Sequence, residues 1–336
     1  MKKQRAKKIA TWIIVPLMAA IFVFDIFTVA LGNRYARRVA VTPEAQTPAA
    51  SDDRIHFLNT ANSDCILLES NGRFALIDAG EGDHNPCRKT AYQGYEQRIT
   101  DYIKQTCVAP DGKIRLEFVL GTHLHYDHIG CFHAILTDPQ IEIGKAYFKP
   151  FNAEVMHEYE IEDWKLRDLY DQILADLTAK SIPLEQTLPD APVAFGDFTL
   201  QFINTVTPDA LRGQGENASS VGVLVKKGAR TAFLAADFTH SCDLEQLYAR
   251  QIGQVDLLKA GHHGYFGSSS VAFLKALRPK LIIVPNHQGK VYPNVKWNYT
   301  FAAKAPYFGT YDYNGIIASF TDAEEIVLTH DLHKSS

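Results

Sequence analysis

Short apolar runs separated by turn residues recur along most of this chain. RIHFLN (54–59), DCILLES (64–70) and RFALIDAG (73–80) predict three strands at hairpin spacing. Asn71-Gly72 between the last two predicts a two-residue turn. EQRITDYIKQT (96–106) predicts a helix, and RLEFVLGTH (115–123) a buried strand that ends in histidine. Strands resume at FTLQFIN (198–204), SVGVLVKKG (220–228) and RTAFLAADF (230–238). A helix at CDLEQLYARQI (242–252) then leads to the strand VDLLKAG (255–261). A second helix at SVAFLKALR (270–278) leads to the strand KLIIVPN (280–286), and the tail alternates like a closing hairpin.

Residues 152–180 break this rhythm. Leu166, Leu169, Tyr170, Ile173, Leu174 and Leu177 fall on one face of a helix, with Glu, Asp and Lys on the other. The stretch reads as a helical insert in a strand-rich body. Mixed strands with intervening helices predict an α/β sandwich, two sheets packed together and covered by helices.

The N-terminus has a different character. Lys2, Lys3, Arg5, Lys7 and Lys8 precede an apolar run of 23 residues from Ile9 to Leu31. About 20 residues span a bilayer, so residues 1–33 read as a membrane anchor. A weak cleavage pattern at Ala30-Leu31-Gly32 leaves a removable signal segment as the alternative. Five basic residues before the run and Arg34, Arg37 and Arg38 after it put the N-terminus inside and the body outside the membrane. Asp25 interrupts the run. Residues 34–53 read as a linker and residues 54–336 as one domain.

The formal net charge of −4 is uneven. Residues 1–51 carry eight Lys/Arg and two Asp/Glu, so the remainder carries about −10. Such a body is a poor general binder of nucleic-acid phosphates, although a local basic groove stays open. No protein partner can be read from the sequence. The five cysteines form no CxxC pair. An exported domain permits a disulfide, for which Cys87 and Cys107 are the expected pair, since both lie in polar stretches.

The chemistry gathers at GTHLHYDHIG (121–130). A turn leaving a strand points alternate side chains to one side, so His123 and His125 suit one cation while Asp127 and His128 face a second. Imidazole and carboxylate are donors that zinc favours. Asp237 in FLAADF offers a shared anionic ligand, and KAGHHG offers His262 and His263, each after an apolar strand.

These motifs resemble the metallo-β-lactamase fold superfamily from residue 53 to about 325. They occur in its order: LIDAG with Asp78, THLHYDHIG, ENASSVGVLV, FLAADF with Asp237, and KAGHHG. KAYFKPF, AFGDFTLQFIN, GQVDLLKAGHHG, FLKALRPKLIIV and YDYNG resemble the phosphorylcholine esterase branch, and the chain is also similar to the hydrolase domain of ComEC. The resemblance implies an αββα sandwich with two divalent ions, zinc or alternatively manganese, at the sheet ends. It places His123, His125, Asp127, His128, Asp237 and His262 as ligands, with Asp78 behind a ligand histidine. Asn217 stands where many members carry a third histidine. Asp127, His263 and Asn217 are the expected catalytic groups, and Asn217 and Ser219 the expected donors to substrate oxygens.

The implied reaction is hydrolysis of a phosphodiester, a small molecule or an envelope component, by a metal-held hydroxide. A ComEC-like nuclease, a lactonase or β-lactamase-like hydrolase and a non-catalytic binding module are the alternatives. A choline head group would need aromatic faces, for which Tyr92, Tyr95, Tyr265, Phe266, Tyr311 and Tyr313 are candidates.

Overall fold

The computed structural model describes residues 2–43, 53–83, 85, 94–321 and 325–332. Two mixed sheets pack face to face. The first runs Val41–Pro43, Ile326–His330, Ile316–Phe320, Asp53–Phe57, Cys65–Ser70, Arg73–Ala79, Phe118–Gly121, Ala146–Phe148 and Leu184–Glu185. The second runs Val193–Phe195, Phe198–Ile203, Gly222–Lys227, Arg230–Leu234, Leu257–Lys259, Leu281–Val284 and Tyr307–Gly309. Alternating residues such as Ile55, Phe57, Leu68, Leu200, Val223 and Ile283 fill the space between the sheets.

Helices cover both outer faces. Glu96–Thr106 buries Ile99 and Ile103 over the first sheet. Leu244–Ile252 and Val271–Leu277 cover the second, around Phe233 and Leu258. Asn71 and Gly72 both adopt positive φ, 52° and 70°, so the predicted turn joins its two strands as expected. The tail closes the first sheet, with Ile316–Phe320 antiparallel to Ile326–His330.

Each sheet switches from antiparallel to parallel pairing near its middle. Arg73–Ala79 is antiparallel to Cys65–Ser70 but parallel to Phe118–Gly121. Arg230–Leu234 is likewise antiparallel to Gly222–Lys227 and parallel to Leu257–Lys259. Crevices form at the carboxyl ends of strands at such switch points, and the ends of Arg73–Ala79, Phe118–Gly121, Arg230–Leu234 and Leu257–Lys259 carry LIDAG, THLHYDHIG, FLAADF and KAGHHG in turn.

Several sequence readings change. RLEFVLGTH divides: Ile114–Leu116 pairs with Ile141–Ile143 in a separate two-stranded sheet, and Phe118–Gly121 joins the main one. Within the stretch read as linker, Val41–Pro43 pairs in parallel with Ile326–His330, which gives that edge a backbone partner. The insert is two helices, Glu158–Glu162 and Leu166–Ala179, and the second buries Leu166, Leu169, Tyr170, Ile173 and Leu177. Cys107 is fully buried with a free thiol rather than exposed. Its proposed partner Cys87 lies outside the described residues. The N-terminal helix spans Lys2–Ala36, and Trp12–Ala36 is long and apolar enough to cross a membrane.

Candidate metal centre

Gly121 ends its strand and the chain turns through Thr122 and His123 to His125. The one-turn helix Tyr126–Ile129 starts there, with His128 N and Ile129 N both donating to the His125 carbonyl at 3.0 Å. This turn brings Asp127 and His128 back beside His123. Across the crevice, Ala235 and Ala236 carry the chain from Arg230–Leu234 to Asp237. Gly261 follows Leu257–Lys259; a Cβ there would run into the Phe238 carbonyl, so the close crossing requires glycine.

Asp237 is fully buried and divides two groups of donors. Its Oδ1 lies 3.1 Å from His128 Nε2 and 3.5 Å from His263 Nε2. His263 Nε2 is also 3.2 Å from His128 Nε2 and 3.3 Å from Asp127 Oδ2. Asp237 Oδ2 lies 3.7 Å from His123 Nε2, which is 3.2 Å from His125 Nδ1. Neither Asp237 oxygen accepts a hydrogen bond of good geometry among the described residues.

The other ring nitrogen of each histidine is already engaged. His128 Nδ1 lies 2.7 Å from Asp78 Oδ2 and His263 Nδ1 lies 3.2 Å from Asp64 Oδ1. His125 Nε2 lies 2.9 Å from Glu160 Oε1, and His123 Nδ1 lies 3.2 Å from Thr122 Oγ1. The hydrogen-bonded partners of His123, His125 and His128 hold the outward protons and leave the inward nitrogens as lone pairs, whereas His263 Nδ1 faces Asp64 at ion-pair distance. Two inward lone pairs 3.2 Å apart cannot hydrogen-bond each other; they need a proton or a cation between them. The donor set therefore fits divalent metal ions.

Electrostatics point the same way. Burial works against the His263 imidazolium, but Asp237 and Asp64 outweigh it and raise its pKa to about 9. His128 is also raised against burial, by Asp237 and Asp78. Burial, with His128 beside it, pushes His123 down. Asp237 is held far below the ordinary carboxylate range, against burial, by His128, His263 and His262. The carboxylates thus attract positive charge at the point where the histidine lone pairs converge.

The two histidines of KAGHHG take places opposite to those expected. His263, expected to contact substrate, is buried in the donor cluster. His262, expected as a ligand there, lines the cleft with its side chain 29% exposed and its Nε2 3.9 Å from Asp237 Oδ2. Both residues adopt left-handed backbone, φ 48° and 50°, and this tight turn carries the second ring inward. Asp78 and Ala236 share that conformation, at φ 56° and 45°.

A cleft of about 390 Å³ opens over the donors. Asn217 lines it, and its buried Oδ1 has no partner among the described residues. Ser219 sits behind: its carbonyl accepts from Lys149 Nζ at 2.9 Å and its hydroxyl engages Glu216. Among the described residues the aromatic rings on the cleft wall are Tyr126, Tyr159 and Trp164, and not Tyr95, Tyr265, Phe266, Tyr311 or Tyr313; Tyr92 lies outside the described residues.

Four buried groups escaped sequence reading. Asp64 supports His263 and ion-pairs with the fully buried Lys259, whose Nζ also donates to the Ala236 carbonyl at 2.7 Å. Glu160 comes from the helical insert. Glu216 accepts from Leu124 N at 2.9 Å, and burial raises its pKa to about 7. Asp64 and Lys259 lie in predicted strands and Glu216 opens ENASSVGVLV, but no local pattern marked their roles.

Two face-to-face mixed sheets, helices on both outer faces, and a histidine–carboxylate centre between the strand ends decide the architecture. The chain has the metallo-β-lactamase fold. Among solved structures it is similar to the metallo-β-lactamase fold protein YhfI of Bacillus subtilis, with TM-score 0.49 and 13% identity over 80% of this chain and 99% of that one. It is also similar to zinc-bound PqqB of Methylobacterium extorquens, with TM-score 0.44 and 14% identity over 76% and 86%. No protein-family model matches the sequence. In sequence the chain is 32% identical over 240 residues to Recombination protein 2 of Haemophilus influenzae, 69% of this chain and 24% of that protein. It is 24% identical over 170 residues to ComE operon protein 3 of Bacillus subtilis, 51% of this chain and 20% of that protein. The chain thus matches a quarter or less of the length of these relatives, which support the ComEC-type branch.

Proposed function

We propose that this chain is a membrane-anchored, extracytoplasmic, metal-dependent hydrolase that cleaves phosphodiesters. The observation that carries the reading is Asp237, whose two oxygens face separate groups of inward histidine nitrogens at the floor of an open cleft. His123, His125 and Asp237 would hold one cation; Asp127, His128, His263 and Asp237 would hold the other. Zinc suits these donors best, with manganese as the alternative. When bound, such ions neutralise developing charge and lower the pKa of water toward about 7.

The chain's own groups have separate tasks. Asp78 and Glu160 keep the His128 and His125 rings in one tautomer and orientation, Thr122 engages His123, and Asp64 sets a negative charge beside His263. Asn217 offers its amide to a substrate oxygen from the cleft wall. His262, at the mouth, is placed to give a proton to a departing alkoxide. Tyr159 and Trp164 wall off water on the insert side.

A ComEC-like nuclease is the second reading, favoured by a relative named as a recombination protein. Against it, the described residues lining the cleft include no Lys or Arg, whereas a polyanion track needs several. Metallated protein is assayed on bis-(p-nitrophenyl) phosphate, p-nitrophenylphosphorylcholine and single-stranded DNA. Chelator-sensitive turnover of either ester supports the first reading. Degradation of DNA with both esters inert selects the second.

A further inference from the structure

Asp25 is the one charged residue within the apolar run Ile9–Leu31. A carboxylate facing lipid is costly, and intramembrane acids normally have partners. Here Asp25 Oδ1 accepts a hydrogen bond from Trp297 Nε1 at 3.0 Å, across 272 residues of sequence. The flanking residues make the same contact. Phe24 meets Trp297 edge to face at 5.1 Å and stacks on Phe301 at 5.3 Å, while Phe27 lies over Phe301 at 6.4 Å. These partners belong to the helix Pro293–Trp297 and the π-helical turn Asn298–Ala303, which cover the outer face of the second sheet.

The docking point sets a depth. From Ile9 to Phe24 a helix rises about 24 Å, most of the roughly 30 Å hydrocarbon core. Trp12, Ile13, Val15, Met18, Phe22 and Val23 are exposed along that length, so lipid is the medium that suits them. The body therefore meets its helix where the bilayer ends. Phe301 stays 38% exposed beside this contact. Trp, Phe and the adjoining Lys296 and Lys304 suit the lipid headgroup layer. The same segment reaches back to the cleft. Tyr292 precedes it and packs on Tyr265 and Phe266, at 5.7 and 6.3 Å, and Tyr265 contacts His262 at 5.7 Å. Phe266 is 66% exposed.

We propose that the Asp25–Trp297 hydrogen bond latches the body onto its own membrane helix, and that the Trp297–Phe301 face rests in the headgroup layer of the bilayer, with the rim at Tyr292 and Phe266 turned toward lipid. The proposal is independent of which ester the centre cleaves.

The test uses the full chain in phosphatidylethanolamine/phosphatidylglycerol nanodiscs. Trp12→Phe and Trp164→Phe leave Trp297 as the only indole. The latch predicts that brominated lipid quenches Trp297 and that aqueous iodide does not. A Val108→Trp reporter in a Trp297→Phe background, on the opposite helical layer, should show the reverse. Asp25→Asn keeps an acceptor and should preserve the pattern; Asp25→Leu should lose lipid quenching and gain iodide quenching with an unchanged unfolding transition of the body. Iodide-accessible Trp297 in the parent protein, or a pattern unmoved by Asp25→Leu, overturns the proposal. If Asp25→Leu fails to fold, the parent and Val108→Trp reporters still decide the depth.

Discussion

Glu160 Oε1 lies 2.9 Å from His125 Nε2, so the helical insert reaches into the metal centre and fixes the tautomer of one of its histidines. Glu160 also accepts from Glu216 N through both oxygens, at 3.0 and 3.1 Å, and from His157 N. Glu160→Gln keeps the shape but removes the charge that holds the Nε2 proton. Cation affinity is expected to fall about 10- to 100-fold, the usual effect of losing an outer carboxylate. Competition titration of cobalt or zinc against a chromophoric chelator reads it; unchanged affinity would show the contact to be structural only.

The paired histidines at 262 and 263 should separate cleanly. His263→Ala removes an inward nitrogen shared by three other donors, and elemental analysis should find less than the parent's cation content. His262→Ala removes a ring at the cleft mouth. It should retain cation content near the parent's, while turnover of an ester with a poor leaving group falls more than that of a p-nitrophenyl ester.

Cation binding should strengthen as pH rises. His128 and His263 are held protonated above the ordinary imidazole range, His263 to about 9, and each must lose that proton before it can donate a lone pair. Protons and cations therefore compete, and affinity should climb from pH 6 and level off near pH 9. Calorimetry in buffers of different ionisation enthalpy should show proton release below that plateau. A pH-independent affinity would contradict the assigned partners.

Lys259→Met should damage the fold more than the cleft. Lys259 is wholly buried and its ammonium pairs with Asp64. Removing one member of a buried pair leaves the other charge uncompensated, at a cost of about 3–5 kcal/mol. Thermal unfolding should fall accordingly, and adding Asp64→Asn should recover part of the loss.

The sequence made some of this legible because the information was local. His123, His125, Asp127 and His128 lie within one turn, and the strands before Asp237, His262 and the turn itself carry clear apolar runs. Asp78 was readable for the same reason, as it ends a strand beside that turn. Glu160, Glu216 and Lys259 were not, because their meaning comes from partners 35, 92 and 23 residues away. The order of His262 and His263 was hidden too, since adjacent residues carry no sign of which ring a left-handed turn carries inward. Cys107 misled through its polar neighbours, although helix geometry buries it.

Asp78, Ala236, His262 and His263 all hold a backbone shape that glycine tolerates and other residues resist, each at roughly 1–2 kcal/mol. All four lie in the turns that bring Asp78, Asp237 and His263 to the crevice. Cation binding would then act as a clasp as well as a reagent. Depleted of ions, the protein should loosen first at this edge, with amide protons around 236 and 262 exchanging before those of the surrounding strands, and improving catalysis there would compete with improving durability.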